Sequence, residues 1–210
     1  MYFPLGAEAP EFSARVLDTL RQPLESGELT LHRARGSARY PARFQLAMAA
    51  NPCPCGQGSG KGLTCTCTPL ARRRYLGRLS GPLLDRIDIQ VEVPALTRAD
   101  LALAGDPETS ATVAARVARA RRVQQHRLRD TPWQTNAEVA GSWLRDAARL
   151  EPRAVADLER ALDSGRLSLR GLDRVLRIAW TLADLAGVDR PRRAHTELAL
   201  ALRMPGGRGG

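Results

Sequence analysis

"RYPARFQLAMAANPCPCGQGSGKGLTCTC", residues 39–67, runs an apolar segment into a loop that holds two Cys-x-Cys pairs and a Gly60-Lys61 step. The loop has two incompatible readings. A phosphate loop needs G-x-x-x-x-G-K-[ST], in which backbone N–H groups cradle the phosphates, the lysine reaches them and a hydroxyl holds Mg2+. The stretch departs from that pattern twice: Cys55 stands where the first glycine belongs, and Lys61 is followed by Gly62, which has no hydroxyl. Lys61 is the only lysine in the chain, so no other position supplies a Walker A lysine. As a metal loop, Cys53, Cys55, Cys65 and Cys67 form C-x-C-x9-C-x-C. Four thiolates in a short loop can close a tetrahedral Zn2+ site, structural because no coordination position stays open. The one-residue gaps are tighter than in common zinc knuckles, and a reduced, solvent-facing loop is the alternative.

The apolar run before the loop predicts a buried central strand with Asn51 at its carboxyl end, where open α/β sheets bind ligands. "ELTLHRA" (28–34) predicts the strand before it, across the turn-like "RGSAR" (35–39). Further upstream, "PEFSARVLDTLRQPLESG" (10–27) spaces Phe12, Val16, Leu17, Leu20 and Leu24 as one amphipathic helix, entered through Pro10 and stopped at Gly27. Downstream, "PLARRRYLGRLSG" (69–81) predicts helix, and "IDIQVEVP" (87–94) alternates Ile87, Ile89, Val91 and Val93 as a third strand closed by Pro94.

From Thr97 onward the pattern is helical, over 109–129, 152–164, 168–187 with Ser168 as its cap, and 194–203. The joints fall at "LAGDPETS" (103–110) and "RDTPWQTN" (129–136). The expected architecture is an α/β piece over residues 1–95 followed by an all-α piece over residues 96–210. Three strands without crossovers are few for a parallel sheet, so the first piece reads as the back half of a domain.

A chain of 210 residues can bury a sizeable core in one large or two small domains. Its 43% hydrophobic and 26% charged residues are those of a globular protein. No apolar run approaches the roughly 20 residues of a membrane span, and no signal-peptide pattern opens the chain. The expectation is a cytoplasmic protein without membrane contact, where cysteines serve as thiols or metal ligands rather than disulfides. A net charge of +10, carried almost wholly by arginine, suits a phosphate-rich partner such as DNA. Arginine in place of lysine also follows from a GC-rich coding sequence. The few aromatic residues are scattered, which leaves no stacking platform for a single strand.

Five stretches together, "EAPEF", "VLDTLRQPLESGE", "PARFQLAMAANPCPCG", "RRRYLGRLSGPLLDRIDIQVEVP" and "SLRGLDRVLRIAWTLADLAG", resemble the magnesium-chelatase-like AAA+ ATPases of the ComM/YifB type, from about Glu8 to about Arg203. The resemblance implies the carboxyl half of a P-loop NTPase core followed by a helical lid, in a family of ring-forming, ATP- and Mg2+-dependent proteins. Some of these act as branch-migration helicases on DNA in natural transformation and recombination. The family's Walker A half has no counterpart in these residues. The implied roles are carried residue by residue. Glu8 matches the glutamate that polarises the attacking water, and Ala7 replaces a Mg2+-associated aspartate. Asn51 matches the sensor 1 amide, Arg86 in "DRID" the arginine finger offered to a neighbouring subunit, and Arg170 the sensor 2 arginine of the lid. An arginine supplied across an interface can be worth about three orders of magnitude in phosphoryl-transfer rate.

Each residue also has a plainer role. Arg86 can pair with Asp85 or Asp88, Asn51 can cap a turn, and Glu8 and Arg170 can be solvated charges. The expectation for this chain by itself is no ATP turnover. The rival reading is a non-enzymatic, basic, zinc-containing module that binds DNA or a full-length homologue.

Overall fold

A computed structural model describes residues 2–4, 8–34, 36–58, 64–103, 105–146 and 149–203. Ala7 and the Gly60-Lys61-Gly62 step lie outside the described residues. Internal contacts divide the chain into two units, one of residues 1–87 with 93–96 and one of 88–92 with 97–210. The described residues are mixed helix and sheet up to the cysteine loop and helical afterwards.

In the first unit the expected single helix over 10–27 is three pieces: a 3-10 turn Ala9–Glu11, α1 (Ala14–Thr19) and α2 (Arg21–Ser26). Two features cause this. Ser13 caps α1 by accepting the Val16 N–H, so the helix starts after Phe12 rather than at Pro10. Pro23 has no N–H to offer Thr19 four residues back, and the chain breaks at Leu20. Phe12 and Val16 are consequently exposed, while Leu17 and Pro23 are buried. Gly27 ends α2 in the left-handed conformation, as expected.

The strands also differ from expectation. β2 (Glu28–Arg33) and β3 (Gly36–Pro41) form an antiparallel hairpin with Leu29 opposite Tyr40 and Leu31 opposite Ala38. The segment read as one long second strand is cut at Pro41, where the ladder loses a donor. Its apolar part becomes β4 (Gln45–Ala47), which pairs in parallel with β1 (Tyr2–Pro4), Phe3 opposite Leu46. The connection from β1 to β4 is therefore a crossover. β4 is only half-buried, since among the described residues β1 is its sole neighbour. "IDIQVEVP" is not a strand. It has no ladder partner among the described residues, and Ile89, Val91 and Val93 stand exposed. Gln90 N–H instead donates to the Leu202 carbonyl at 2.7 Å. Between these segments lie α3 (Pro69–Leu76), capped by Thr68, and α4 (Gly81–Leu84), capped by Ser80.

The second unit holds α5 (Arg98–Leu103), α6 (Ser110–Leu128), α7 (Gly141–Leu144), α8 (Pro152–Asp163), α9 (Leu169–Ala186) and α10 (Arg193–Arg203). α9 is its centre, packed by α6, α8 and α10. It buries Leu172, Val175, Leu176, Ala179, Trp180 and Ala183 at helical spacing. Ser168 caps α9 by accepting the Gly171 N–H at 3.1 Å.

One polar network sits within this apolar core. Arg127 Nη2 donates to both oxygens of Asp184 and to Asn136 Oδ1, while Asn136 Nδ2 donates to Asp184 and Thr181. The guanidinium lies 4.3 Å from the Trp180 ring centroid, and the Trp180 and Trp143 rings meet at a 46° tilt with centroids 5.4 Å apart.

Candidate functional site

Two features of the first unit bring chemistry-bearing groups together, and both start at the carboxyl end of β4. The strand leads through Met48–Ala50 to Asn51, whose Nδ2 donates to Glu8 Oε1 at 2.8 Å. Glu8 is placed by the other member of the sheet, since it follows β1 after four residues and is held by the Ala9 N–H to the Ala49 carbonyl at 2.7 Å. Two residues 43 positions apart are thus presented side by side at the ends of neighbouring parallel strands, both half-buried. A carboxylate that already accepts from a carboxamide keeps its second oxygen for a water, and the amide oxygen is a second acceptor at the same place. Tyr75 of α3 is buried, and burial pushes its phenol up, with the Glu8 carboxylate adding to the effect.

Immediately after Asn51 the four cysteines converge, and all four Sγ atoms lie within 4.8 Å of one another. Cys53 Sγ is 3.4 Å from Cys55 and 3.6 Å from Cys65, and Cys55 is 3.6 Å from Cys65. All are free thiols. A Zn–S bond of about 2.3 Å in tetrahedral geometry sets sulfur–sulfur separations of about 3.8 Å, so the residues present fit one ion. Arg72 Nη2 donates to Cys65 Sγ at 3.2 Å. The Cys67 backbone N–H, then the thiols of Cys53 and Cys55 and the Arg72 guanidinium, bring the Cys65 thiol down to about 6 against the opposing effect of desolvation.

Arg86 lies just beyond α4, which is fixed by the wholly buried Leu83 and by Ser80 Oγ donating to Asp18 Oδ1 at 2.6 Å. Its Nη1 donates to the Pro82 carbonyl at 2.7 Å, and its Nη2 meets the Glu25 carboxylate. The Asp88 carboxylate is taken by Arg174 of α9. Arg170, one turn earlier on α9, is exposed. The structure therefore joins Glu8 with Asn51 and the cysteines with each other, and pairs Arg86 with a residue sequence reasoning did not name. Nothing local marks Glu25, which stands 61 positions away. Arg72 had a signal: it opens the run Arg72–Arg74 seven residues after Cys65, within reach once Thr68 caps a helix there.

Residues 5–101 match the family described as magnesium chelatase, subunit ChlI, and residues 107–203 match magnesium chelatase, subunit ChlI C-terminal. The chain belongs to the magnesium-chelatase-like AAA+ ATPases of the ComM/YifB type. It is 48% identical to the uncharacterized protein Rv2897c of Mycobacterium tuberculosis over 96% of its length. It is 41% identical over 93% of its length to competence protein ComM of Haemophilus influenzae and to uncharacterized protein YifB of Escherichia coli. The chain spans 38 to 39% of the length of these relatives. Among the described residues, no helix is long and apolar enough to cross a membrane.

Proposed function

We propose that this chain supplies the water-positioning and trans-acting half of an ATP-dependent motor, with residues 1–95 as the carboxyl half of a P-loop NTPase core and residues 96–210 as its helical lid. The observation that carries the reading is the Asn51–Glu8 hydrogen bond at the end of the β1–β4 pair. In this reading Glu8 polarises the attacking water and Asn51 orients it near the γ-phosphate. Arg86 is the finger offered to the nucleotide of a neighbouring subunit in a ring, and Arg170 reaches phosphate from the lid. ATP with Mg2+ is the nucleotide, and Zn2+ is the ion of the four thiols. DNA is the substrate that the charge of +10 favours.

The 210 residues alone contain no G-x-x-x-x-G-K-[ST], so the isolated chain hydrolyses no ATP. The test replaces the matching part of the Mycobacterium tuberculosis relative by this chain and measures steady-state hydrolysis. The chimera should turn over, and Glu8→Gln or Asn51→Ala should each cut turnover by about a hundredfold or more. A chimera indifferent to both substitutions would sink the reading.

A further inference from the structure

The four-thiol loop and the Asn51–Glu8 pair are successive parts of one short segment. Asn51 is joined to Cys53 through Pro52, whose ring fixes φ and removes one soft torsion between the amide and the first thiol. Cys53 is wholly buried, and its carbonyl accepts the Gly56 N–H at 3.0 Å, which closes a tight turn over residues 53–56. That turn folds back on Asn51. Gly56 has φ +73°, and a Cβ there would stand 3.6 Å from Asn51 Nδ2. Gly58 lies against the first thiol, where a Cβ would come within 2.9 Å of Cys53 Sγ. On the other side, Arg72 holds Cys65 from the first turn of α3, and one turn later the same helix buries Tyr75. α3 also packs on the Ala9–Glu11 turn that follows Glu8.

The thiols alone do not keep such a loop shut. Thiol–thiol contacts are weak, the deprotonated forms repel, and the loop's path from Cys55 to Cys65 is long and glycine-rich. A divalent cation removes the repulsion and joins all four ends.

We propose that Cys53, Cys55, Cys65 and Cys67 close on one zinc ion and that this closed site is a positioning element, holding the Asn51 carboxamide toward Glu8. Arg72 offsets part of the charge of a four-thiolate site, which carries a formal −2 with its ion. Cys53 is the positioning residue, because it alone is both buried and two residues from the amide. Loss of the ion lets the Pro52–Gly56 turn loosen and the amide leave the carboxylate. The significance of that movement for catalysis rests on the ATPase reading; the movement itself does not.

The test uses the full chain, 15N-labelled and purified under reducing conditions. Elemental analysis should give about one zinc per chain, and cobalt exchanged for zinc should show the thiolate charge-transfer and tetrahedral bands of an S4 site. Cys55→Ser/Cys67→Ser, which leaves buried Cys53 intact, should lose both. The Asn51 side-chain amide signal, assigned with Asn51→Gln, should shift and broaden when the wild-type ion is chelated and return when zinc is restored. Tryptophan fluorescence, which comes from Trp133, Trp143 and Trp180 of the second unit, should stay constant through that cycle. Absence of zinc, or full zinc content in the double variant, overturns the metal site. An Asn51 signal unmoved by chelation overturns the positioning role, whatever the metal content. In the zinc-loaded chain Glu8→Gln should move the same signal; if it does not, the Asn51–Glu8 contact, and with it the ATPase reading, is what fails.

Discussion

Arg127 and Asp184, 57 residues apart, meet through a guanidinium nitrogen that reaches both carboxylate oxygens, at 2.9 and 2.7 Å, beneath the Trp180 ring. Asp184 is nearly fully buried, and its remaining capacity is taken by Asn136. Arg127 Nη1, also buried, makes no hydrogen bond among the described residues. The indole faces of Trp180 and Trp143 supply that side with cation–π attraction instead. Removing one partner of a buried pair leaves the other charge uncompensated, which costs about 3–5 kcal/mol. Asp184→Ala should therefore destabilise the chain by that amount in chemical denaturation, and Arg127→Ala by a similar amount. The double variant Arg127→Met/Asp184→Leu should recover much of the loss, because no charge is then stranded. If the double variant is as unstable as the sum of the singles, packing rather than charge pairing explains the effect.

The helical unit was legible because its signal is contained in each helix. Ser168 names the cap, and the spacing of Leu172, Val175, Leu176 and Ala179 names the buried face of α9 without reference to any neighbour. "IDIQVEVP" failed for the opposite reason. Alternation shows that a strand could form, but a strand exists only where another donates and accepts, and none among the described residues does so for Ile89, Val91 and Val93. Pro23 and Pro41 each mark the place where a continuous apolar pattern divides into two elements. At the site, the cysteines were legible from spacing and Asn51 from its place at a strand's carboxyl end, but Glu8 only from family resemblance, since no local pattern announces a contact across 43 residues.

His195 gives the second unit a pH dependence. Burial pushes its imidazole below the usual value of 6.5, Arg192 adds to the effect, and Nδ1 accepts the Arg192 N–H at 3.0 Å, a bond the protonated ring cannot keep. The folded chain therefore binds this proton less readily than the unfolded chain. Its contribution to stability is complete above about pH 6.5 and is lost as pH falls through the lower folded value. Between pH 8 and pH 5.5 the wild-type thermal midpoint should fall further than that of His195→Gln. Equal slopes for the two would remove the histidine from the account.

Binding of DNA by this chain should be salt-dependent. Arg119 and Arg122 are exposed on α6, whereas Arg116 is engaged by Glu108. For duplex DNA the logarithm of affinity falls with the logarithm of salt by about 0.9 per phosphate contact. Arg119→Gln/Arg122→Gln should lower affinity and reduce that slope by about two contacts, measured by fluorescence anisotropy over a salt series. An unchanged slope would place the contact elsewhere, and no binding at low salt would remove DNA as a partner of this chain.

Arg86 is the residue whose geometry most constrains its role. Its side chain is mostly buried, tethered to the Pro82 carbonyl and the Glu25 carboxylate at the end of α4. A guanidinium held by a carboxylate on one edge keeps its planar fork in a fixed direction, and lysine, a point charge on a flexible stem, reproduces neither the fork nor the fixed direction. In the chimera that carries a Walker A loop, Arg86→Ala should reduce turnover by about a hundredfold or more, and Arg86→Lys should recover little. Glu25→Gln keeps the shape but weakens the tether, so it should lower turnover by less than Arg86→Ala while leaving ATP affinity close to the starting value. The decisive arm is mixing. A finger acts on the neighbour's nucleotide, so Arg86→Ala subunits combined with Walker-A-dead subunits should regain part of the activity that each lacks alone. If mixing restores nothing while both variants still assemble, or if Arg86→Ala unfolds the first unit in circular dichroism, the Glu25 contact is a structural ion pair and the finger lies elsewhere.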